Sequence, residues 1–574
     1  MSVSAQPRRR ARFTRTAMLL GASAAALGWV TTAGADLTPE EIASARAHAY
    51  QLNAEGRCAE AMPIWEELGA VLSRASDYLD AANCAIESGD SARAVADLWE
   101  AVRRRDQLDT QQQLFALRSL GYQAEAQGDW DRSLIGWDYA AQISDAPSDK
   151  LQAARAARLS GRSADAQARL WQVRPGEFEG VALAQYYDEQ AQVLRESQPE
   201  MAAQYMARAI AIDDQTWRRF DHGLMLQAAD EPRAAIGEFR TVLAREPANT
   251  DVRLSLAYAL RSIGENAEAA RHFGEVIAVQ PDNLGIREDQ AYALKDAGQD
   301  DQAGAAFIGV IDRLQAQGGE TAHAERLYRL RREVTALESR TSGFAYASYR
   351  NEGVSLSGGL QDSITYSSLG AEFSWRPEGL YENGTGITAF ARGYVSMEPG
   401  AFTLDSDTAQ LGLGARWKPF QSVDFSLSGE RLVALGDNAR DDWLLRASYG
   451  WTDGYDWQPQ ASSWNYTSVY ADLAYIPGDN EYFGAYAQVR QGRRFRTADG
   501  WTVTPYVTAV AQYSDDIYGS QDRFEAGPGV SVSHWFGEDD HHAYRRRVDF
   551  DVEYLFDVEG SGDDALMARV VFSF

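Results

Sequence analysis

The chain is short of four things, and each shortage removes a class of protein. Only two of its 574 residues are cysteine, which excludes a disulfide-dense scaffold and a thiolate metal cluster. Lysine occurs only at Lys150, Lys295 and Lys418, and 83 acidic residues face 55 basic ones. The formal charge of −28 repels a polyanion, so no nucleic-acid partner is expected. No apolar run reaches the roughly 18 residues of a helical membrane span. A mean hydropathy of −0.41 does not argue against a membrane β-barrel, whose alternating strands average out. Catalytic signatures are missing too: there is no Walker loop, HExxH or GxSxG elbow. No enzymatic activity, cofactor or metal is expected. The pairs Asp539-Asp540 and His541-His542 share one turn with Arg545, Arg546 and Arg547 and have no second cluster, so they read as a solvated turn.

What is present begins with a targeting pattern. Arg8, Arg9, Arg10, Arg12 and Arg15 form a basic region, and an apolar stretch from Ala17 to Val30 follows. Ala33-Gly34-Ala35 offers cleavage between Ala35 and Asp36. Residues 1–35 are therefore expected to be a signal peptide, whose removal takes the charge to −33. No cysteine adjoins the cleavage site, which disfavours a lipid anchor.

A period of 34 residues is explicit between about 220 and 311. Gly223, Ala257 and Ala291 share one register; Phe239, Phe273 and Phe307 share another; Ala235, Ala269 and Ala303 a third; Pro247 and Pro281 a fourth. Tyr258-Ala259-Leu260 recurs as Tyr292-Ala293-Leu294, and Gly264 as Gly298. This resembles the tetratricopeptide repeat: small residues where helices cross, an aromatic filling the gap, proline closing each unit. Upstream, Gly56, Gly89, Gly128 and Gly161 keep the rhythm as helix-hairpin turns. About eight helix pairs are expected from 38 to 315, then a last helix near 321–339. Cys58 should open the second helix of the first pair, and Cys84 should fall late in the first helix of the second. Two cysteines brought together in an oxidising compartment predict a disulfide; two buried thiols are the alternative. A solenoid of this kind binds protein on its concave face, or serves only as a spacer.

Near Ser342 the period changes to two. Ala409, Leu411, Leu413, Ala415 and Trp417 oppose Gln410, Gly412, Gly414 and Arg416. Val548, Phe550, Val552, Tyr554 and Phe556 oppose Arg547, Asp549, Asp551 and Glu553. Twelve strands are expected, near 343–351, 365–375, 386–397, 408–417, 422–433, 442–452, 464–475, 481–492, 501–514, 524–536, 546–556 and 564–574. Their length suits a tilted transmembrane strand, and an even count returns both barrel ends to one side. Trp375, Trp417, Trp443, Trp451, Trp501 and Trp535 lie near strand ends, as aromatic girdles do. The ending ALMARVVFSF places Leu566, Ala568, Val570, Phe572 and Phe574 on one face, and Phe574 is the aromatic expected of a barrel-closing strand. The organisation is thus residues 1–35 signal peptide, 36–340 a periplasmic all-α repeat domain, and 341–574 an antiparallel outer-membrane β-barrel of about 12 strands, with a range of about 10 to 16.

On this alternation the lumen holds Glu372, Arg392, Arg416, Glu430, Arg446, Asp472, Arg490, Glu525, Asp549, Asp551, Glu553 and Arg569. Mixed charge of this kind either braces the barrel with ion pairs or lines a path for a hydrophilic substrate such as a glycan, with Tyr486, Tyr506 and Trp535 as stacking surfaces.

Repeats followed by such a barrel resemble the outer-membrane components of exopolysaccharide secretion. More closely, Gly343-Phe344-Ala345-Tyr346 and Tyr475-Ile476-Pro477-Gly478 make 342–574 resemble the C-terminal domain of the bacteriophage adsorption protein A (NfrA-type) family. The resemblance implies a non-enzymatic outer-membrane protein that helps export a surface polysaccharide. It also implies a periplasmic or inner-membrane partner, such as a glycosyltransferase, and a possible use as a phage receptor. A non-conducting scaffold that docks periplasmic proteins is the alternative.

Overall fold

Glycines that take a left-handed backbone end helix after helix in the first region. Gly56, Gly89, Gly128, Gly161, Gly264 and Gly298 all have φ between 71° and 82°, the C-terminal turn that an L side chain resists. The computed structural model describes residues 38–351, 367–382, 384–397, 403–478, 481–516, 519–560 and 563–574. The expected signal peptide and its Ala35/Asp36 cleavage lie outside the described residues. The chain forms two compact units, divided at Ala182/Leu183.

The first unit carries helices Pro39–Ala54, Cys58–Leu72, Ala75–Glu87, Ser91–Arg103, Thr110–Ala126, Trp130–Ser144, Pro147–Leu159 and Ser163–Leu170. Short polar caps start four of them: Thr38 and Glu41 form a reciprocal capping box, and Asp90, Asp109 and Asp129 each accept a backbone N–H of the first turn. Cys58 and Cys84 share one buried core cluster with Trp65 and Met62 and are free thiols. The Cys84 thiol donates to Asn53 Oδ1 at 2.9 Å and the Cys58 thiol to Glu87 at 3.1 Å.

From Gly180 on, helices Gly180–Leu194, Pro199–Ile212, Thr216–Ala228, Pro232–Arg245, Thr250–Ser262, Asn266–Val279 and Leu284–Asp296 precede Asp300–Glu338, which breaks at Gly318 and Gly319. The 34-residue period is a packing period. Phe239, Phe273 and Phe307 are fully buried in one continuous core. A Cβ on Gly223 would lie 2.4 Å from the Phe239 ring, so the small residue permits the close crossing. Tyr258 and Tyr292 meet Phe273 and Phe307 edge-on, with centroids 5.1 and 5.0 Å apart.

The strands follow at once: β1 Thr341–Arg350, β2 Ser368–Trp375, β3 Tyr381–Glu382, β4 Thr385–Ser396, β5 Gln410–Lys418, β6 Asp424–Ala434, β7 Trp443–Asp453, β8 Ser463–Ile476, β9 Tyr482–Ala498, β10 Trp501–Asp516, β11 Gly519–Phe536, β12 Arg546–Gly560 and β13 Ala565–Ser573. They form one antiparallel sheet in chain order. The two-residue β3 is a side ladder on β4, and β2 pairs directly with β4, so twelve strands make the wall. The sheet closes on itself because β1 pairs with β13, Phe344 opposite Ser573 and Arg350 opposite Met567. Phe574 completes the seam by exchanging backbone hydrogen bonds with Gly343 at 2.9 and 3.0 Å. A Cβ on Gly343 would meet the Phe574 ring at 2.6 Å, so the terminal aromatic lies where only glycine leaves room. Strand ends differ from the sequence pattern mainly in the last third. There β9 runs on to Ala498 and β11 begins at Gly519, because the ladders with β10 continue to the pairs Trp501 with Ala498 and Asp516 with Gly519.

Candidate functional site: the barrel lumen

Burial is inverted around the barrel. On β12, Phe550 and Val552 are each 45% exposed, while Asp549 and Asp551 are each 7% exposed. A water-soluble barrel does the reverse, so this wall is built to meet hydrocarbon outside and polar groups inside. Trp375, Trp417, Trp443, Trp451 and Trp501 point outward. Trp535 does not: it is 7% exposed and shares the inward parity of Ser533. It belongs to the interior and not to the girdle, because parity, not closeness to a strand end, decides its face.

All twelve charged positions singled out by alternation lie in the barrel, each within an ion pair. Arg416 reaches Glu372 at 3.1 Å, and the Arg392 Nε reaches Glu430 at 2.7 Å. Both contacts skip a strand, from β5 to β2 over β4 and from β4 to β6 over β5. Arg446 holds Asp472 at 2.6 Å between neighbouring strands. Arg490 on β9 reaches Glu553 on β12 at 2.7 Å, and Arg569 on β13 holds Asp551 at 2.5 Å. The Tyr506 hydroxyl donates to Glu553 at 2.6 Å. Asp549 pairs with Arg547 at 2.7 Å, and Glu525 receives both Arg350 and Arg523.

Three lumenal arginines escape the sequence reading, Arg350, Arg494 and Arg523, and Arg547 falls on the inward face of its strand there without being singled out. Arg494 and Arg523 continue the inward parity of a strand beyond the end that composition suggests, whereas Arg350 and Arg547 lie within expected strands; extending β9 in steps of two from Arg490 would have found Arg494. Between these pairs lies a cavity of about 520 Å³ bordered by Arg392, Arg416, Arg446, Tyr486, Arg490 and Arg569 among others. Planar guanidinium donors beside carboxylate acceptors suit hydroxyl-rich ligands, which both donate and accept.

The acidic-histidine turn outside the barrel makes ion pairs. His541 contacts Asp312 at 2.7 Å, and His542 contacts both Glu338 and Asp539 at 2.7 Å. Burial pulls against protonation of His542, but the bonds to Glu338 and Asp539 hold its pKa above the ordinary imidazole value. Among the described residues no group of three or more His, Cys, Asp or Glu is placed to hold a metal ion.

Solved helical-repeat structures resemble parts of the chain. One is YrrB, a TPR protein with an unusual peptide-binding site, at 17% identity over 33% of this chain and 95% of that one, with a TM-score of 0.28. Another is a tetratricopeptide repeat protein from Parabacteroides merdae, at 14% identity over 45% and 98%, with a TM-score of 0.32. Bacteriophage adsorption protein A of Escherichia coli K12 is 26% identical over 463 residues, which is 76% of this chain and 46% of that protein. The chain thus spans about half the length of that curated relative. Residues 402–568, from the approach to β5 into the first half of β13, match the family described as Bacteriophage N adsorption protein A C-term, so this barrel is similar to the C-terminal domain of that family.

Proposed function

We propose that the protein is an outer-membrane barrel with a periplasmic repeat arm, serving the export of a surface glycan and the recruitment of periplasmic or inner-membrane partners to its entrance. The inverted burial supports this reading most directly: an apolar outer wall encloses arginines and carboxylates around a lumenal cavity. A hydroxyl-rich polymer exchanges hydrogen bonds with such a lining without needing an apolar pocket. The repeat arm suits partner capture, as concave solenoid faces do. The E. coli relative is named for bacteriophage adsorption, and a similar use of this barrel's far-side loops is a secondary proposal.

A second reading has its own support. The ion pairs that skip strands brace the lumen, so the barrel can equally serve as a closed anchor for the arm. Planar-bilayer conductance separates the two. Export predicts discrete conductance steps that change when Arg392 and Arg416 are replaced by Gln. A silent barrel whose arm still captures its partners would sink export and leave the scaffold.

A further inference from the structure

One end of the barrel is crossed by its own chain. The connection 454–462 leaves β7 at the end where Thr341 enters, on a glycine hinge. Gly454 has φ +66°, and a Cβ there would stand 1.9 Å from the Asn465 carbonyl oxygen. The next residues do not run along the rim. Tyr455 accepts a hydrogen bond from Arg547 on β12, whose guanidinium stands 3.9 Å from the Tyr455 ring centre. In the sheet β9, β10 and β11 separate β8 from β12, so this contact spans the opening instead of following the wall. Trp457 is buried against Trp464, Trp535 and Tyr544, with centroids 6.3, 5.7 and 5.6 Å away. Two arginines pin the backbone from inside: Arg494 donates to the carbonyls of Gly454 and Tyr455, and Arg496 to that of Pro459.

The same few residues divide two cavities. Tyr455 borders the lumenal cavity of about 520 Å³. Trp457 and Pro459 border a second cavity of about 440 Å³, whose other walls include Tyr328 and Arg331 of the last repeat helix. That helix also grips the connection from outside. Arg332 pairs with Asp456 at 3.0 Å, and Tyr328 packs against the cluster of Trp457, Trp464 and Trp535. The helix is in turn tied to the turn before β12, where Arg331 donates to the Asp540 carbonyl at 3.0 Å and the Ala543 amide to Thr335 at 3.1 Å.

We propose that the connection 454–462 is a gate between the two cavities and that the last repeat helix is its latch. Resting on the export reading, the inference adds its regulation: a hydrophilic chain from the repeat side enters the lumen only when Tyr455 and Trp457 swing aside about Gly454. The outer grip is weak by construction. Arg332 and Asp456 are each 53% exposed, and an exposed ion pair shifts an equilibrium only severalfold. A partner that pulls on the last helix therefore has a small barrier to overcome at the latch, while the aromatic wedge keeps the resting state shut.

The test uses the full chain with Cys58 and Cys84 replaced by Ala and one reporter, Ser448→Cys, on the lumenal cavity. It is reconstituted in phospholipid vesicles with the repeats outward and treated with a charged, membrane-impermeant methanethiosulfonate. The gate predicts slow labelling from the repeat side in this parent and roughly tenfold faster labelling with Tyr455→Gly and Trp457→Gly. Arg332→Glu should speed labelling about two- to fivefold, and adding Asp456→Arg should restore the parent rate. That charge swap leaves the aromatic packing intact, so it tests the latch even where the wedge variant folds poorly. Equal repeat-side rates in parent and variants, with reagent trapped inside the vesicles still reaching the reporter, would overturn the gate and leave an open lumen. No labelling from either side in any variant would overturn the gate and the export reading together.

Discussion

Glu525→Gln is the sharpest probe of the lumen. The Glu525 side chain is 2% exposed, the Arg350 side chain that bonds it is 4% exposed, and Arg523 approaches the same carboxylate at 2.8 Å. The pair links β1 to β11 across β12 and β13, so it braces the seam at which the barrel closes. Removing one partner of a buried pair leaves an uncompensated charge and costs about 3–5 kcal/mol. The same pair bathed in water is worth about 0–1 kcal/mol. At about 1.4 kcal/mol per tenfold, a dry pair shifts the folding equilibrium at least a hundredfold. Arg523 retains Asp557 within 4.0 Å, so the contact weakened most is the buried one between Glu525 and Arg350. Urea titration of the barrel in phospholipid vesicles, followed by tryptophan fluorescence, measures the loss. Glu525→Gln with Arg350→Met should recover part of it, because both members of the buried pair are then removed together. A loss below about 1 kcal/mol for Glu525→Gln alone would refute the premise that the seam pair is shielded from water.

Other expectations concern the repeats and their joint to the barrel. Phe273→Ala empties a fully buried slot and should cost about 3–5 kcal/mol, seen as faster hydrogen exchange in Asn266–Val279 and its neighbours with the strands unaffected. Asp97 is buried, one of its carboxylate oxygens has no hydrogen-bond partner, and burial, reinforced by the charge of Glu66, pushes its pKa up to about 7 from 3.8. Its unfolded form loses the proton first, so repeat stability should fall as pH rises from about 4 to about 7; Asp97→Asn should flatten that slope in thermal melts. His542 behaves likewise at higher pH: its folded pKa lies above the ordinary imidazole value of 6.5, so its bonds to Glu338 and Asp539 stabilise the joint below that value and fade as pH rises through the raised one. Exchange in 325–338, corrected for intrinsic rates, should report this and lose its pH dependence in His542→Gln. Cys58 and Cys84, together in one core cluster, are proposed to bridge after export; alkylation of the denatured secreted chain should require a reductant, and alkylation without one would contradict the bridge.

Much of the architecture is legible in the chain because two periods carry it. Phe239, Phe273 and Phe307 announce the downstream units by identity. Upstream, Tyr50 with Trp65 and Tyr122 with Trp137 make the same edge-on pair as Tyr258 with Phe273, at centroid distances of 4.7, 4.7 and 5.1 Å. A search for two aromatics at that recurring spacing, instead of for phenylalanine, reveals the degenerate units. Strand faces follow from parity, since a residue two positions from Asp549 or Thr502 must share its side. Strand ends do not, because Arg493, Arg494 and Arg496 look like a turn cluster yet continue β9 along the mouth of the barrel. The lumenal partners are also hidden: Arg392 finds Glu430 and Arg416 finds Glu372 only once curvature brings alternate strands together. The gate-like loop has no sequence signature at all, since Trp457 acquires its meaning from Trp535 and Tyr544, which are remote in the chain.

That the outer wall meets lipid is tested most directly by quenching tryptophan fluorescence with brominated phospholipids. Trp375, Trp417, Trp451 and Trp501 stand outward at the end where the chain enters, and Trp457, Trp464 and Trp535 are buried together. Single-tryptophan versions of the reconstituted barrel should show strong quenching of the first group, strongest for bromine near the headgroups, and little quenching of the second. Equal quenching of both groups, or none of the first, would contradict a membrane barrel with a polar interior.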